Sequence, residues 1–331
     1  MNVLLLGGPL FLGRALIDAA QARGHTVSAF NRGNRAPMPG VEQITGDRNA
    51  PEFPAGRHWD VVLDTSGQAP LQTHSGAELL GDRIGHYIYT SSISVYRSQN
   101  EANLDEGAPL AEFPAGADPD NARDIENYGA RKAACEGALA ALLADRLAVV
   151  RPGFIIGPYD YSDRFNSWVE RAARPHPLIV PGDPVQPMQL IDARDLAEWM
   201  IDLAERGTTG YFNATGPERP VPLLEVAQTC IDATGGSGPP LVIPGDDLKA
   251  AGVVPWEHIP FWFEPGEFGM METNVDRALA AGLRFRPLAE TVRDTYAWLK
   301  SSDHERKIAL PEDLEAAAIK RYGPRNRSAS R

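Results

Sequence analysis

Between residues 3 and 151 the sequence alternates short apolar runs with longer stretches whose apolar residues recur at helical spacing. Val3–Leu6, Thr26–Phe30, Val41–Thr45, Val61–Asp64, Tyr87–Thr90 and Leu147–Arg151 read as strands. Phe11–Arg23, Leu71–Leu80 and Ala122–Leu143 read as the helices between them. A strand that is apolar at nearly every position is buried on both faces, and covering both faces requires a helix layer on each side. The expected fold class is therefore α/β, a doubly wound parallel sheet over residues 1–151. After Pro152 the pattern turns irregular and aromatic, as in Pro255–Phe268. A smaller second domain is expected over 152–310, with a segment near 188–204 returning to the first. A helix from Pro311 and a basic tail would close the chain over 311–331. Pro- and Gly-rich stretches at Pro109–Pro119, Arg174–Pro187 and Gly235–Gly245 read as loops.

Composition excludes several classes. The 331 residues carry 44 Asp+Glu against 32 Lys+Arg, a net charge of −12, which disfavours a nucleic-acid partner. No run approaches the ~18 apolar residues of a membrane span, and MNVLLLGG is too short for a signal peptide's apolar region. The two cysteines, Cys135 and Cys230, have no metal-ligand spacing, and the seven histidines are scattered, so neither a disulfide nor a metal site is expected. A cytoplasmic enzyme acting on a small molecule is the expectation.

The first strand runs into Gly7-Gly8-Pro9-Leu10-Phe11-Leu12-Gly13 and then a helix. Gly7 permits a tight turn and Gly13 close helix packing, so that Leu10, Phe11 and Leu12 open a helix whose N-terminus can face a pyrophosphate. A plain strand–helix turn is the alternative, and Leu10 stands where the dinucleotide fingerprint has its middle glycine. At the end of the second strand, where a carboxylate would bind the ribose hydroxyls of NAD, the sequence reads Asn31-Arg32-Gly33-Asn34-Arg35. Arginine there suits the 2′-phosphate of NADP, with NAD as the alternative; two solvated loop arginines would look the same. Asp47-Arg48 follows the third strand, placed to meet an adenine edge. Ser66-Gly67 follows the fourth, where backbone could approach the cofactor.

Tyr128 and Lys132 lie four apart, on one face of a helix. The chain has 27 arginines and five lysines, and Lys132 is the sole lysine before Lys249. A compact ammonium with a tunable pKa does what a guanidinium fork cannot. A free tyrosine ionises near pH ~10, and a positive charge ~4 Å away is worth up to ~4 kcal/mol at an effective dielectric of ~20. Such a pair makes Tyr128 a general acid/base for a carbonyl/alcohol couple. Thr90-Ser91-Ser92-Ile93-Ser94-Val95-Tyr96 leaves the fifth strand at its carboxyl end, where a serine hydroxyl could hold the substrate oxygen.

Gly7…Gly13, Ser91-Ser92-x-x-Val95-Tyr96, Tyr128-x-x-x-Lys132, Arg151-Pro152-Gly153-Phe154-Ile155-Ile156-Gly157-Pro158 and Ile191-Asp192-Ala193-Arg194-Asp195-Leu196-Ala197 together resemble the extended short-chain dehydrogenases/reductases of the NAD-dependent epimerase/dehydratase family. The match runs over roughly residues 1–215 and more loosely beyond. It implies a Rossmann domain, a C-terminal substrate domain and a Ser–Tyr–Lys triad of Ser92, Tyr128 and Lys132, the serine lying four residues before Tyr96. It implies further that Pro152, Phe154 and Ile155 border the nicotinamide, that Tyr96 and Gln189 meet substrate, and that the chain forms a homodimer through the helices at 71–80 and 122–143. The opening Gly-Gly-x-x-Phe-x-Gly-Arg with Asn31-Arg32-Gly33 resembles a subgroup that includes bacterial isoflavone-reductase-like proteins and plastid stem-loop RNA-binding proteins. Two departures narrow the activity. Nucleotide-sugar epimerases carry an acidic residue where this chain has Asn31, and 4,6-dehydratases carry Asp-Glu where it has Ser91-Ser92. Reduction or oxidation is therefore expected ahead of epimerisation with retained NAD, and a non-catalytic cofactor-sensing or RNA-binding relative comes third.

Overall fold

The six expected strands all form, and a seventh joins them. In the computed structural model, which describes residues 1–323, β1 (Asn2–Leu6), β2 (Thr26–Asn31), β3 (Glu42–Thr45), β4 (Trp59–Asp64), β5 (Ile84–Thr90) and β6 (Leu147–Pro152) build one sheet with Gly210–Ala214. The order is Gly210–Ala214, β6, β5, β4, β1, β2, β3, and every neighbouring pair is parallel. Register keeps the carboxyl ends level: Leu6 pairs with Phe30 and Asp64, and Asp64 with Tyr89. The loops after β1, β4 and β5 therefore open side by side.

Side-chain alternation explains the two layers. Val3 and Leu5 of β1, Val61 and Leu63 of β4 and Ala148 and Val150 of β6 face α1 (Leu12–Ala22) and the helix Ala193–Arg206. Leu4 and Leu6, Val62, and Leu147 and Val149 face α2 (Pro70–Leu80) and α3 (Tyr128–Leu143). Apolar through their central positions, these strands supply both cores.

The chain divides into two compact units. The first comprises Met1–Ile155, Gln189–Arg219 and Gly269–Phe285, and the second Ile156–Met188, Pro220–Phe268 and the chain from Arg286 onward. The returning segment thus extends past residue 204, because Gly210–Ala214 pairs with β6, and Ala278 and Leu283 of a third segment complete the same core. α3 starts at Tyr128 and not near Ala122. The Asp124 carboxylate accepts hydrogen bonds from the Asn127 backbone N–H (3.2 Å) and Nδ2 (2.7 Å), which holds the preceding residues in a turn.

The second unit has only short strands: Ile179–Pro181 pairs with Leu241–Ile243, and Pro187–Met188 with Val221–Pro222. Its helices include Asn166–Ala172, Leu223–Thr234 and Leu288–Ser301. The helix expected from Pro311 runs Glu312–Tyr322 with Pro311 as its N-cap. It is anchored by buried Glu315, whose carboxylate accepts from Arg171 (2.8 Å) and Arg174 (2.7 Å). The basic tail expected after it lies outside the described residues. The tryptophans pack: Trp168, Trp199 and Trp262 are buried, and the Trp168 indole donates to the Pro260 carbonyl (3.0 Å).

Candidate active site

The glycine loop is shaped by contacts that leave no room for a Cβ. Gly7 has φ +147°, and a Cβ there would overlap the Thr65 hydroxyl. At Gly13 a Cβ would overlap the Gly8 carbonyl oxygen, so α1 closes on the loop only because residue 13 has no side chain. Leucine is tolerated at position 10 because the positive φ falls on Phe11 (φ 42°). Phe11 is also the N-cap of α1. It makes no side-chain capping bond, and the first turn carries no acidic residue. Nothing in the sequence of that turn opposes an anion at the helix N-terminus, so the loop fits a pyrophosphate.

The ends of β2 and β3 divide into internal braces and exposed cations. The Asn31 side chain accepts from the Gly33 N–H (2.9 Å) and donates to the Gly7 carbonyl (3.4 Å), joining the two loops. Arg32 and Arg35 are exposed, and no carboxylate lies among residues 30–35. Asp47 accepts from the backbone and side chain of Asn49. Arg48, expected at an adenine edge, points inward instead. It is buried and forms a two-pronged pair with Asp64 (2.9 and 3.0 Å).

Asp64 organises the next loop. Its carboxylate also accepts from the Tyr87 hydroxyl (2.6 Å) and from the N–H groups of Ser66 (3.0 Å) and Gly67 (2.9 Å). Burial would raise its pKa, but Arg48, Tyr87 and the Ser66 N–H hold it below the usual carboxylate value. Ser66 donates from Oγ to the Leu6 carbonyl (2.9 Å), which ties this loop to the end of β1. The Gly67 carbonyl accepts from the Tyr89 hydroxyl (3.0 Å), and a Cβ on Gly67 would press on the Tyr89 ring.

Ser92 and the helix that carries Tyr128 and Lys132 meet at the end of β5. Ser91 is spent within the fold: its hydroxyl donates to buried Glu136, which is paired with buried Arg151. Ser92 is half-buried and caps the short 3₁₀ turn Ile93–Val95 by accepting from the Ser94 N–H (3.1 Å). Gly129 lies flat against that turn, where a Cβ would overlap the Ser94 carbonyl oxygen. The first turn of α3, with half-buried Tyr128 at its start, is thereby docked on the serine loop. Lys132 is buried. Its ammonium donates to the carbonyls of Thr90 (2.7 Å) and Gly67 (3.0 Å) and lies 4.3 Å from the centre of the Tyr89 ring. Burial brings its pKa down to about 8, against the opposing pull of Asp64 and Glu136. Asp64 and Gly129 escape motif reading. An aspartate at a strand end was visible, but the backbone it organises was not.

The remaining candidates are placed as follows. Pro152 is buried at the end of β6, and Phe154 and Ile155 follow it half-buried. Tyr96 is buried, with its hydroxyl between Asn213 (2.5 Å) and Arg151 (3.1 Å). Gln189 is buried too, donating to the carbonyls of Pro217 and Thr273 (both 3.1 Å) and accepting from the Thr273 N–H (2.9 Å). The polar atoms of both are engaged inside the first unit, as internal braces and not as substrate contacts. Among the described residues there is no His/Cys/Asp/Glu group able to hold a metal ion, and no helix long and apolar enough to cross a membrane.

Helices on both faces of a parallel sheet, with a glycine loop at the end of β1, define the Rossmann-like α/β fold of the epimerases and short-chain dehydrogenases. No protein-family model matches the chain. It is 26% identical over 263 residues to the chloroplast stem-loop binding protein of 41 kDa b of Arabidopsis thaliana, covering 73% of this chain and 65% of that one. To the 2-alkyl-3-oxoalkanoate reductase of Stenotrophomonas maltophilia it is 29% identical over 262 residues, covering 71% of this chain and 76% of that one. The structure of UDP-glucuronic acid 4-epimerase from Bacillus cereus in complex with NAD superposes with a TM-score of 0.64 at 14% identity, over 91% of this chain and 99% of the epimerase. The motif resemblance is thus matched by the fold and by distant similarity in sequence.

Proposed function

We propose that the chain is an NADP(H)-dependent member of the extended short-chain dehydrogenase/reductase family that reduces or oxidises a carbonyl/alcohol carbon of a small molecule. The observation that carries this is the docking of α3 through Gly129 on the Ser92 turn, with Lys132 tied to the last carbonyl of β5. Ser92 and the first turns of α3, remote in sequence, thereby meet near the end of β5.

In this reading the α1 N-terminus and the Gly7–Gly13 loop hold the pyrophosphate. The Thr65–Gly67 backbone lines the dinucleotide, and Arg32 meets the ribose 2′-phosphate. Pro152, Phe154 and Ile155 border the nicotinamide, which when bound supplies or accepts the hydride. Ser92 Oγ donates a hydrogen bond to the substrate oxygen and orients it. Tyr128 Oη gives that oxygen a proton in reduction and takes it back in oxidation. Lys132 sets the charge around the phenol. The missing carboxylate after β2 favours NADP(H), with NAD as the alternative, and the reductase relative favours net reduction over epimerisation with a retained cofactor. An RNA-binding role like that in the chloroplast protein's name has less support in a chain of net charge −12.

Turnover on a panel of 3-oxoacids, aldehydes, ketones and nucleotide sugars tests the assignment. Tyr128→Phe should cost at least the ~10²-fold typical of lost acid–base catalysis while cofactor still binds. Ser92→Ala should cost less, and Lys132→Arg should lower turnover steeply without unfolding the chain. Full turnover by Tyr128→Phe would overturn the active site. Cofactor choice is tested by titration: NADPH should bind roughly ten- to a hundredfold tighter than NADH, the worth of one charge-assisted contact, and Arg32→Ala should remove most of the difference. Equal affinities in the unaltered protein would sink that choice.

A further inference from the structure

Lys132 is deeply committed. Its ammonium is spent on two backbone carbonyls and the face of Tyr89, and burial erodes its charge from about pH 8 upward. A second cation lies on the same turn of α3. Arg131 is 2% exposed, and its guanidinium carbon sits 5.8 Å from the centre of the Tyr128 ring.

The same side chain is a three-way clamp. Arg131 Nε donates to the Gln68 carbonyl (2.9 Å), in the loop that supplies the Gly67 carbonyl to Lys132. Its Nη1 donates to the Asp124 carbonyl (2.5 Å), at the turn that ends where α3 begins. Buried and bonded on two edges, the guanidinium cannot swing away from Tyr128 without releasing both loops. A guanidinium keeps its charge over the whole range in which a lysine or a phenol titrates. It also lies within the distance at which a cation interacts with an aromatic ring.

We infer that Arg131 is a positioning residue for Tyr128: it fixes the ring at the start of α3 and supplies the lasting positive charge that favours the phenolate. This rests on the acid/base reading of Tyr128, and it shifts part of the electrostatic task from Lys132 to its neighbour. With the guanidinium 5.8 Å from the ring centre and solvent around the half-buried ring, the expected effect is about a tenfold change in phenolate fraction.

The experiment reads Tyr128 directly and needs no substrate. Protein labelled with ¹³C at tyrosine Cζ is titrated, the Tyr128 resonance being the one lost in Tyr128→Phe. Arg131→Met should lower the Tyr128 phenolate fraction at fixed pH about tenfold, and Arg131→Lys should restore much of it. Should Arg131→Met fail to fold, Arg131→Gln, which retains a donor for the Gln68 carbonyl, replaces it and should show the same loss. An unchanged Tyr128 titration in the folded Met or Gln variant overturns the inference. So does a loss in Arg131→Lys as large as in Arg131→Met, which would mark a purely structural clamp. Failure of the acid/base reading shows separately, as full turnover by Tyr128→Phe.

Discussion

Lys132 illustrates how a residue's chemistry comes from its surroundings. In water its ammonium would hold a proton to pH ~10.4, whereas in the folded chain burial brings that point down to about 8. Between these values the unfolded chain binds more protons than the folded one, so this residue makes stability rise with pH across that window. The gain is at most about 3 kcal/mol. Denaturant midpoints measured from pH 7.5 to 10.5 should therefore increase in the unaltered protein relative to Lys132→Met, in which this titration is absent. Parallel curves for the two proteins would show that the ammonium is not desolvated as described. Tyr96 makes the complementary point. Its position in a family motif suggested substrate, but its hydroxyl is held between Arg151 and Asn213, and it serves the packing beneath the site.

At the scale of the element, α3 carries two glycines with opposite roles. Gly129 abuts the Ser94 carbonyl, whereas a Cβ at Gly137 would meet nothing within 4 Å. Gly129→Ala must push the helix off the serine turn, since the obstacle is backbone, and should cost about 1–3 kcal/mol together with most of the activity. Gly137→Ala fills open space on an exposed helix position and should stabilise by about 0.5–1 kcal/mol with activity unchanged. Thermal melts paired with turnover check both, and an active, undestabilised Gly129→Ala would contradict the docking described. The start of the same helix is set by a competing local bond. Residues 122–127 have tolerable helical composition, but Asp124 captures the Asn127 N–H and competes with helix formation, a choice that no apolar spacing records.

For the molecule as a whole, the open question is association. On α2, Leu71 and Leu79 lie eight residues apart on one face and are 64% and 51% exposed. On α3, Ala141 is exposed, Ala134 and Ala138 are half-buried, and Ala133 and Ala140 pack inward. We propose that these two helix faces pair with their counterparts in a second copy, small residues allowing close approach. Sedimentation at micromolar concentration should give twice the 35.9 kDa chain mass, and Leu71→Glu with Leu79→Glu should return it to the monomer. A monomeric mass for the unaltered chain would rule this out.

The division of the chain follows from how each signal is written. The central strands, the parallel sheet and both helix layers were legible because burial on two faces demands a mainly apolar run, a property of consecutive residues. Gly7, Gly13 and the Tyr128/Lys132 pair were legible for the same reason, since their spacing is local. The seventh strand, Gly210–Ala214, was not, because its place depends on β6 and on a segment some seventy residues further on that covers it. Nor was the inward turn of Arg48, because its acceptor Asp64 lies on another strand and only the fold brings the two charges together. What the sequence by itself determined is what neighbouring residues decide among themselves. That Ser91 is tied to Glu136, that Arg48 is a brace and that Arg131 lies over Tyr128 were settled by the folded packing, where burial forces each polar group to find a partner.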